Sequence, residues 1–139
     1  MGKFLSTPTF RKVKEASSTG RAKWALVGDL IYESNKGEVF TVPNGFETDF
    51  ASVPRVPLAF WLTGDTAHLS AVLHDYLCRI HVSDKTMTWK EAADHFRDAM
   101  RAEGVPAWRA YLMYWAVRMA DPTKSWTISM FNALFNKGG

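Results

Sequence analysis

The sequence predicts one α+β domain, in which a small antiparallel β-sheet, a hairpin plus a short third strand, packs on three to four α-helices. Runs of strand-forming residues separated by turn residues occupy residues 23 to 50, and apolar residues recur at intervals of three and four after residue 65. A chain of 139 residues fits one hydrophobic core, because cores usually divide only beyond roughly 250 residues. The apolar content of 47% is enough to offset the entropy lost on folding.

The predicted strands lie in the first half of the chain. Lys23–Glu33 and Glu38–Val42 are rich in strand formers and flank the turn-like Ser34–Gly37, which predicts an antiparallel hairpin. Pro43–Gly45 then supplies a fixed φ followed by two residues that tolerate a positive φ. A tight turn into a short third strand, Phe46–Phe50, is therefore expected.

The predicted helices follow from residue 66 onward. The first runs from about Thr66 to Ile80, with Asp65 as its N-cap. The second begins at Thr88, which can form a capping box with Glu91, and ends before Gly104. The last two are Ala107–Ala120 and the short amphipathic Ser125–Phe135.

The helix predicted at Ala107–Ala120 is apolar on almost every side. Arg109 and Arg118 are its only charged residues. A helix of this kind is usually buried on several sides, and contact with a membrane interface is the alternative.

The first 22 residues are predicted to form a basic N-terminal arm, followed by a single domain of residues 23 to 139. Glu15 is the one acidic residue in the first 23 positions, against six basic residues: Lys3, Arg11, Lys12, Lys14, Arg21 and Lys23. An edge strand around Thr7 to Val13 is the alternative to an extended arm. The excess of positive charge makes non-specific nucleic acid a candidate partner.

Several functional classes lack their characteristic sequence features. Cys78 is the single cysteine, so neither an intrachain disulfide nor a thiolate metal cluster can form within one copy, and folding in a reducing cytoplasm is expected. No apolar run reaches the roughly 18 residues of a transmembrane helix. The phosphate-binding loop, the G-x-S-x-G nucleophile turn and the H-E-x-x-H zinc helix do not occur either.

Oxygen-bearing side chains cluster where the predicted third strand ends. Thr48, Asp49 and Ser52 lie just before Pro54, which cannot continue a central strand. Asp49 and Ser52 are candidate catalytic residues. A capped turn, in which these side chains accept hydrogen bonds from backbone amides, is the structural alternative.

His74 and Asp75 are the candidate site residues of the first predicted helix. His74 shares its face with small residues, including Cys78, so another element can approach the imidazole closely. Asp75 lies one turn before Arg79, and a surface ion pair between them is the alternative to metal binding by Asp75.

The second predicted helix carries Asp94 and Asp98 one turn apart. Lys90 and Arg97 are close enough to neutralise them, so a solvated charged face is the alternative to a site. One divalent transition metal, such as zinc, manganese or iron, could be held by the imidazole of His74 and the carboxylates of Asp75, Asp94 and Asp49.

The blocks VPNGFETDFASVPR, LHDYL, EAADHFRDAM and GVP, in this order, resemble a family of unknown function found in tailed phages and prophages. The resemblance covers roughly residues 24 to 120. It implies a shared site or a shared buried network formed by Thr48, Asp49, Ser52, Pro54, Arg55, His74, Asp75, Tyr76 and Asp94. Cys78 stands where the family pattern has an aromatic residue, and both chain ends lie outside the resemblance.

Two functions are compatible with these features. The first is a virion-associated or assembly protein, related to the phage tail, that contacts other phage structural proteins through its N-terminal arm and its C-terminal helix. It would be made in the host cytoplasm and carried into the virion. The alternative is a small metal-dependent hydrolase of cell-wall or other host material, in which the metal activates water. The candidate catalytic residues of that hydrolase are Asp49, Ser52, His74, Asp75 and Asp94.

Overall fold

The computed structural model describes residues 2–15, 23–48 and 68–121 of the chain. Within these ranges the chain has six strands, three α-helices and one π-helix. The strands are β1 (Lys3–Phe4), β2 (Thr9–Lys14), β3 (Lys23–Val27), β4 (Leu30–Glu33), β5 (Val39–Val42) and β6 (Glu47–Thr48). The helices are α1 (His68–Tyr76), the π-helix (Leu77–Val82), α2 (Trp89–Ala102) and α3 (Ala107–Met119). The predicted α+β class is confirmed.

The strands form two small antiparallel sheets, where the sequence predicted one. Their orders are β1-β4-β5 and β2-β3-β6. The predicted hairpin is confirmed as β4 and β5, which pair from Leu30 opposite Val42 to Glu33 opposite Val39. The predicted third strand corresponds to β6, which covers Glu47–Thr48 and pairs with β3, and residues 49 and 50 of that prediction lie outside the described residues.

The prediction of one strand over residues 23 to 33 is wrong because the chain turns at Gly28. Gly28 adopts a φ of +103°, a conformation that interrupts an extended strand. The turn is held by side chains: the Gly28 amide donates to Asn44 Oδ1 at 2.8 Å, and the Asn44 amide donates to Asp29 Oδ1 at 2.8 Å. As a result, β3 and β4 enter different sheets.

Part of the basic N-terminal segment belongs to these sheets. β2 lies at the edge of its sheet and pairs with β3 from Thr9 opposite Val27 onward, which agrees with the edge-strand alternative. β1 pairs with β4 at the edge of the other sheet. Lys12 of β2 places its ammonium group 5.1 Å from the Trp24 ring.

The helices begin and end largely where the sequence indicated. The predicted capping box at the start of α2 is confirmed, because the Glu91 amide donates to Thr88 Oγ1 and the Thr88 amide donates to Glu91 Oε1. Gly104, with a φ of +94°, follows the end of α2. The predicted start at Thr66, the N-cap Asp65 and the fourth helix at 125–135 lie outside the described residues.

One hydrophobic core joins the sheets to the helices. Tyr32 and Leu30 of β4 and Val42 of β5 are fully buried in the same cluster as the inner residues of the helices. The fully buried helix residues of this cluster include Leu73, Leu77, Phe96, Met100, Met113 and Val117. Trp89 fastens α2 to α3, since its indole N–H donates to the Val117 carbonyl at 2.8 Å.

A carboxylate from the end of α2 caps the start of α1. Glu103 accepts hydrogen bonds from the Ser70 amide at 2.8 Å, from the Ser70 hydroxyl, and from the Leu69 amide at 3.4 Å. These amides belong to the first turn of α1, where backbone donors lack intrahelical partners. Burial raises the pKa of Glu103, and the hydrogen bonds from Ser70 and Leu69 act in the opposite direction.

Replacing Glu103 should lower the free energy of unfolding, and the loss should be larger when the new side chain cannot accept hydrogen bonds. Glu103→Ala leaves the Ser70 donors buried without this acceptor and should lower the free energy of unfolding by about 1–3 kcal/mol. Glu103→Gln keeps one carbonyl oxygen that can accept hydrogen bonds, so its free energy of unfolding should fall by less than half of that amount. Urea unfolding of both variants measures the difference, and equal losses would contradict the capping role.

Candidate functional site

Asp75 is the centre of a buried polar contact between the helices and a sheet. Its side chain is almost fully buried near the end of α1. The Thr48 hydroxyl of β6 donates to Asp75 Oδ2 at 2.6 Å, and Arg79 Nη2 lies 3.0 Å from the same oxygen. The predicted Asp75–Arg79 ion pair is therefore present, but its carboxylate is buried and only its guanidinium reaches solvent.

Arg79 ties the same contact to the backbone of β6. Its Nη1 donates to the Glu47 carbonyl at 2.8 Å, and its guanidinium carbon lies 5.0 Å from the Phe46 ring centroid. One arginine thus contacts the buried carboxylate and the strand that supplies Thr48. Together the three residues Thr48, Asp75 and Arg79 form what is called below the Asp75 clamp.

His74 lies in the core between α1 and α2. The imidazole is fully buried, with ring centroids 5.0 Å from Phe96 and 5.5 Å from Trp89. Cys78 Sγ lies 3.5 Å from Nε2. Burial lowers the pKa of His74 to about 3, so the imidazole is neutral at physiological pH.

Cys78 is not poised as a nucleophile. Burial raises the pKa of its thiol to about 12, and the nearby carboxylates of Asp75 and Asp121 add to this increase. The thiol therefore stays protonated at neutral pH, whereas reactivity requires the thiolate.

Asp94 lies on the outer side of α2, next to α3. Lys90 Nζ is 2.9 Å from Asp94 Oδ2, as expected for the neutralised face that the sequence offered as an alternative. Burial alone would raise the pKa of Asp94, but hydrogen bonds from Lys90 and Tyr114 and the charge of Arg97 bring it below its usual value. The carboxylate is therefore ionised at neutral pH.

The predicted site residues that the structure describes face three different environments. His74 contacts the helix core, Asp75 contacts Thr48 and Arg79, and Asp94 contacts Lys90. Over residues 2–15, 23–48 and 68–121, no three His, Cys, Asp or Glu side chains are grouped so that they could hold a metal ion. Asp49 and Ser52 lie outside these ranges, so their assignment as ligand or catalytic residues stays a prediction.

A cluster of aromatic and histidine side chains around Phe40 was not predicted from the sequence. His81 of the π-helix and His95 of α2 both contact Phe40 of β5, with ring centroids at 5.8 and 5.0 Å. Tyr76 lies 5.9 Å from His81. His81 reaches this cluster from the π-helix. The periodicity of the sequence predicted one α-helix up to Ile80 and gave no signal for a π-helix.

The outer face of α3 is the other feature that the sequence did not predict. Among the described residues, α3 is buried on one side only, through Ala110, Met113, Tyr114 and Val117. Its opposite side exposes large apolar residues, so burial on several sides is not observed. This surface, called below the α3 outer face, consists of Trp108, Tyr111, Leu112 and Trp115, each between 52% and 63% exposed.

The arrangement defines a small α+β domain with a buried carboxylate clamp and an exposed aromatic helix. Residues 24–117 match the family described as "Protein of unknown function (DUF1353)". The chain belongs to this family. The match includes every described residue of the Asp75 clamp and the whole α3 outer face.

Two curated relatives come from Sinorhizobium fredii (strain NBRC 101917 / NGR234). The uncharacterized protein y4jT is 36% identical over 113 residues, which cover 78% of this chain and 31% of y4jT. The uncharacterized protein y4iH is 33% identical over 101 residues, which cover 70% of this chain and 40% of y4iH. The chain thus spans about a third of the length of these relatives. No solved structure matches the chain.

The buried state of His74 predicts a measurable pH dependence of stability. The pKa of His74 is about 3 in the folded state, and its ordinary value is 6.5. The unfolded chain therefore takes up the proton first as the pH falls, and folding stability is lost from about pH 6.5 downward. The expected loss from this residue is about 1.4 kcal/mol per pH unit until the folded pKa is approached.

Comparing the wild type with His74→Leu isolates this effect from the titration of the carboxylates. Both proteins share all other titratable groups, so the free energy of unfolding of the wild type minus that of His74→Leu should fall as the pH falls from 6.5 to 4.5. Urea unfolding at several pH values provides the measurement. A difference that does not change with pH would show that His74 is not buried in its neutral form.

Proposed function

We propose that this chain is a virion-associated or assembly protein of a tailed phage or prophage, related to the tail, and that it docks on a neighbouring protein through the α3 outer face. The observation that carries the proposal is the row of four exposed apolar residues on one side of α3. Trp and Tyr are the residues that most often dominate the binding energy of protein interfaces.

The position of this surface supports docking rather than folding as its role. The opposite side of α3 already contributes Met113 and Val117 to the core, and α3 is held to α2 by Trp89. The outer residues leave exposed apolar area on the described part of the chain, outside its hydrophobic core. Contiguous exposed apolar surface of this kind marks an interaction site.

The length of the relatives supports the same role. In y4jT and y4iH the matched region is 31% and 40% of the protein, so in those chains it is joined to other segments. A compact domain with an exposed apolar helix can be attached to different neighbours, either within one chain or in a complex. No helix that the structure describes is long and apolar enough to cross a membrane.

Phage particles purified from a host that carries the gene for this chain can be used to test this proposal. The chain should be found in purified virions or tails, and Trp108→Ser/Trp115→Ser should be excluded from them by at least about tenfold. The double variant should still unfold cooperatively, because neither indole belongs to the hydrophobic core. Val27→Ser/Val39→Ser is the matched control, since both valines are similarly exposed on the strands.

Absence of the wild-type chain from these particles would contradict the proposal. Equal incorporation of the tryptophan variant and the valine control would show that the α3 outer face is not the docking surface.

A metal-dependent hydrolase is the second proposal, and one contact favours it. Asp75 binds the hydroxyl of Thr48, and the next residue in the chain is Asp49. In this proposal Asp75, Asp49 and Ser52 form a site for one divalent transition metal that activates water against cell-wall or other host material. His74 and Asp94 are not part of it, because His74 is buried against Phe96 and Trp89 and Asp94 pairs with Lys90.

Elemental analysis of the purified full-length protein tests the hydrolase. The hydrolase proposal predicts about one equivalent of metal per chain in the wild type. Asp49→Asn should lose most of it, whereas Asp84→Asn, an exposed aspartate on the loop after the π-helix, should retain it. Full metal content in Asp49→Asn, or none in the wild type after dialysis against zinc or manganese, would contradict the hydrolase.

A further inference from the structure

The two faces of the sheet formed by β2, β3 and β6 differ in character. Phe10 and Leu26 lie opposite each other on the core face, because Leu26 is buried in the hydrophobic core and Phe10 packs against it. Side chains alternate between the two faces of a sheet along each strand. The next pair along these strands, Arg11 and Ala25, therefore lies on the opposite face.

Three cations share this opposite face. A β-bulge between Lys12 and Lys14 shifts the register, so that Lys14 lies directly opposite Lys23. Residues that lie opposite each other share a face, and Lys23 shares its face with Ala25, two positions later in β3. Arg11, Lys14 and Lys23 thus form one surface, called below the basic sheet face, and all three are exposed.

The described part of the chain does not neutralise the positive charge of the basic sheet face. The ion pair that β2 forms joins Lys12 to Glu15, at 3.4 Å, and none of the three cations of the face takes part in one. Glu47 of β6 lies on the same face, but it is two strands away from Arg11, about 10 Å across the sheet. Three positive charges against one negative charge leave a net charge of +2.

Two of these cations face each other directly. Like charges at opposite positions of a strand pair destabilise a sheet. Lysine on an edge strand can serve to prevent pairing with a foreign strand, which would account for Lys14 on β2. Lys23 lies on β3, the central strand of this sheet, where that protection has no purpose. A polyanion bound at the two ammonium groups accounts for both positions.

The surroundings of the cations favour a ligand that binds through charge. The aromatic residues of β2 and β3, Phe10 and Trp24, pack against the core, and Lys12 lies over the Trp24 ring. Val13 and Val27 are the exposed apolar residues of these strands. Protein interfaces and membrane-bound segments use larger apolar anchors, whereas phosphate charge dominates the binding of nucleic acids. Single strands also need exposed rings for stacking, which these two strands do not offer.

We propose that the basic sheet face binds the phosphate backbone of double-stranded nucleic acid without reading its bases. Its three cations would neutralise about three phosphates. The surface lies on different elements from the α3 outer face, and binding there does not depend on the proposed function. All three cations precede residue 24, where the family match begins, so the surface is assigned to this chain alone.

Titration of a fluorescent DNA duplex of about 20 base pairs with the full-length protein tests this inference. Two duplexes of unrelated sequence should be bound with equal affinity in fluorescence anisotropy. The logarithm of the association constant should fall with the logarithm of the salt concentration with a slope of about −2.7, which is about −0.9 for each of three phosphates. A slope near zero, or no binding at about 50 mM salt and about 0.1 mM protein, would overturn the inference.

Two double variants that remove the same charge decide where the duplex binds. Lys14→Gln/Lys23→Gln should lower the affinity at least about tenfold at about 50 mM salt and bring the slope to about −0.9. Lys36→Gln/Lys85→Gln is the matched control, because both lysines are exposed and lie outside this sheet. The control should bind like the wild type. Equal losses in the two variants, with both still folded by thermal unfolding, would show that net charge alone attracts the duplex and would overturn the inference.

Other probes distinguish a duplex from other anionic partners. Tighter binding of poly-glutamate of about 20 residues than of the duplex would overturn the inference in favour of an acidic protein. Binding to vesicles of phosphatidylcholine with about one third phosphatidylglycerol, without binding of the duplex, would overturn it in favour of a membrane. Tighter binding of a single strand than of the duplex would overturn it in favour of base stacking.

The variant Trp108→Ser/Trp115→Ser separates this inference from the proposed function. Both residues lie on α3, so this variant should bind the duplex like the wild type although it is excluded from particles. Loss of duplex binding in this variant would place the nucleic acid on the α3 outer face and overturn the inference.

Discussion

The buried carboxylate of Asp75 is the constraint on which the arrangement of sheets and helices depends. A charge removed from water is tolerated only when nearby donors replace the lost hydration, and here Thr48 and Arg79 do so. One of these donors comes from β6 and another from the π-helix, so both can reach the carboxylate only when the strand and the helix are in contact. The clamp therefore specifies where β6 meets the helices, whereas apolar packing alone would tolerate several positions.

Local sequence signals predicted the elements that depend on local interactions. The hairpin β4–β5 follows from alternating strand formers around a turn, and the start of α2 follows from the capping box of Thr88 and Glu91. The splitting of residues 23 to 33 was not predicted, because it depends on Asn44 reaching back to Gly28 across the turn. Glu103 is a similar case, since its carboxylate caps a helix that begins more than 30 residues earlier.

The candidate site shows the same division between local and distant causes. The Asp75–Arg79 and Lys90–Asp94 pairs lie one helical turn apart and could be predicted from spacing. The burial of Asp75 could not, because it depends on Thr48 in a distant strand. For α3, the uniform apolar sequence indicated burial but could not show which side the core would cover. Only the packing of Met113 and Val117 inward determines that Trp108 and Trp115 face outward.

The π-helix that follows α1 holds about one more residue per turn than an α-helix would. The Ser83 amide, at its end, donates to the carbonyl of Cys78, five residues earlier, where an α-helix would use the fourth. Removing one residue would let the segment return to α-helical geometry while the side chains that follow it keep nearly their present directions. In α2 or α3, by contrast, one deletion would rotate every later side chain by about 100° around the axis. The segment between Leu77 and Val82 should therefore accept the loss of one residue during evolution more readily than α2 or α3.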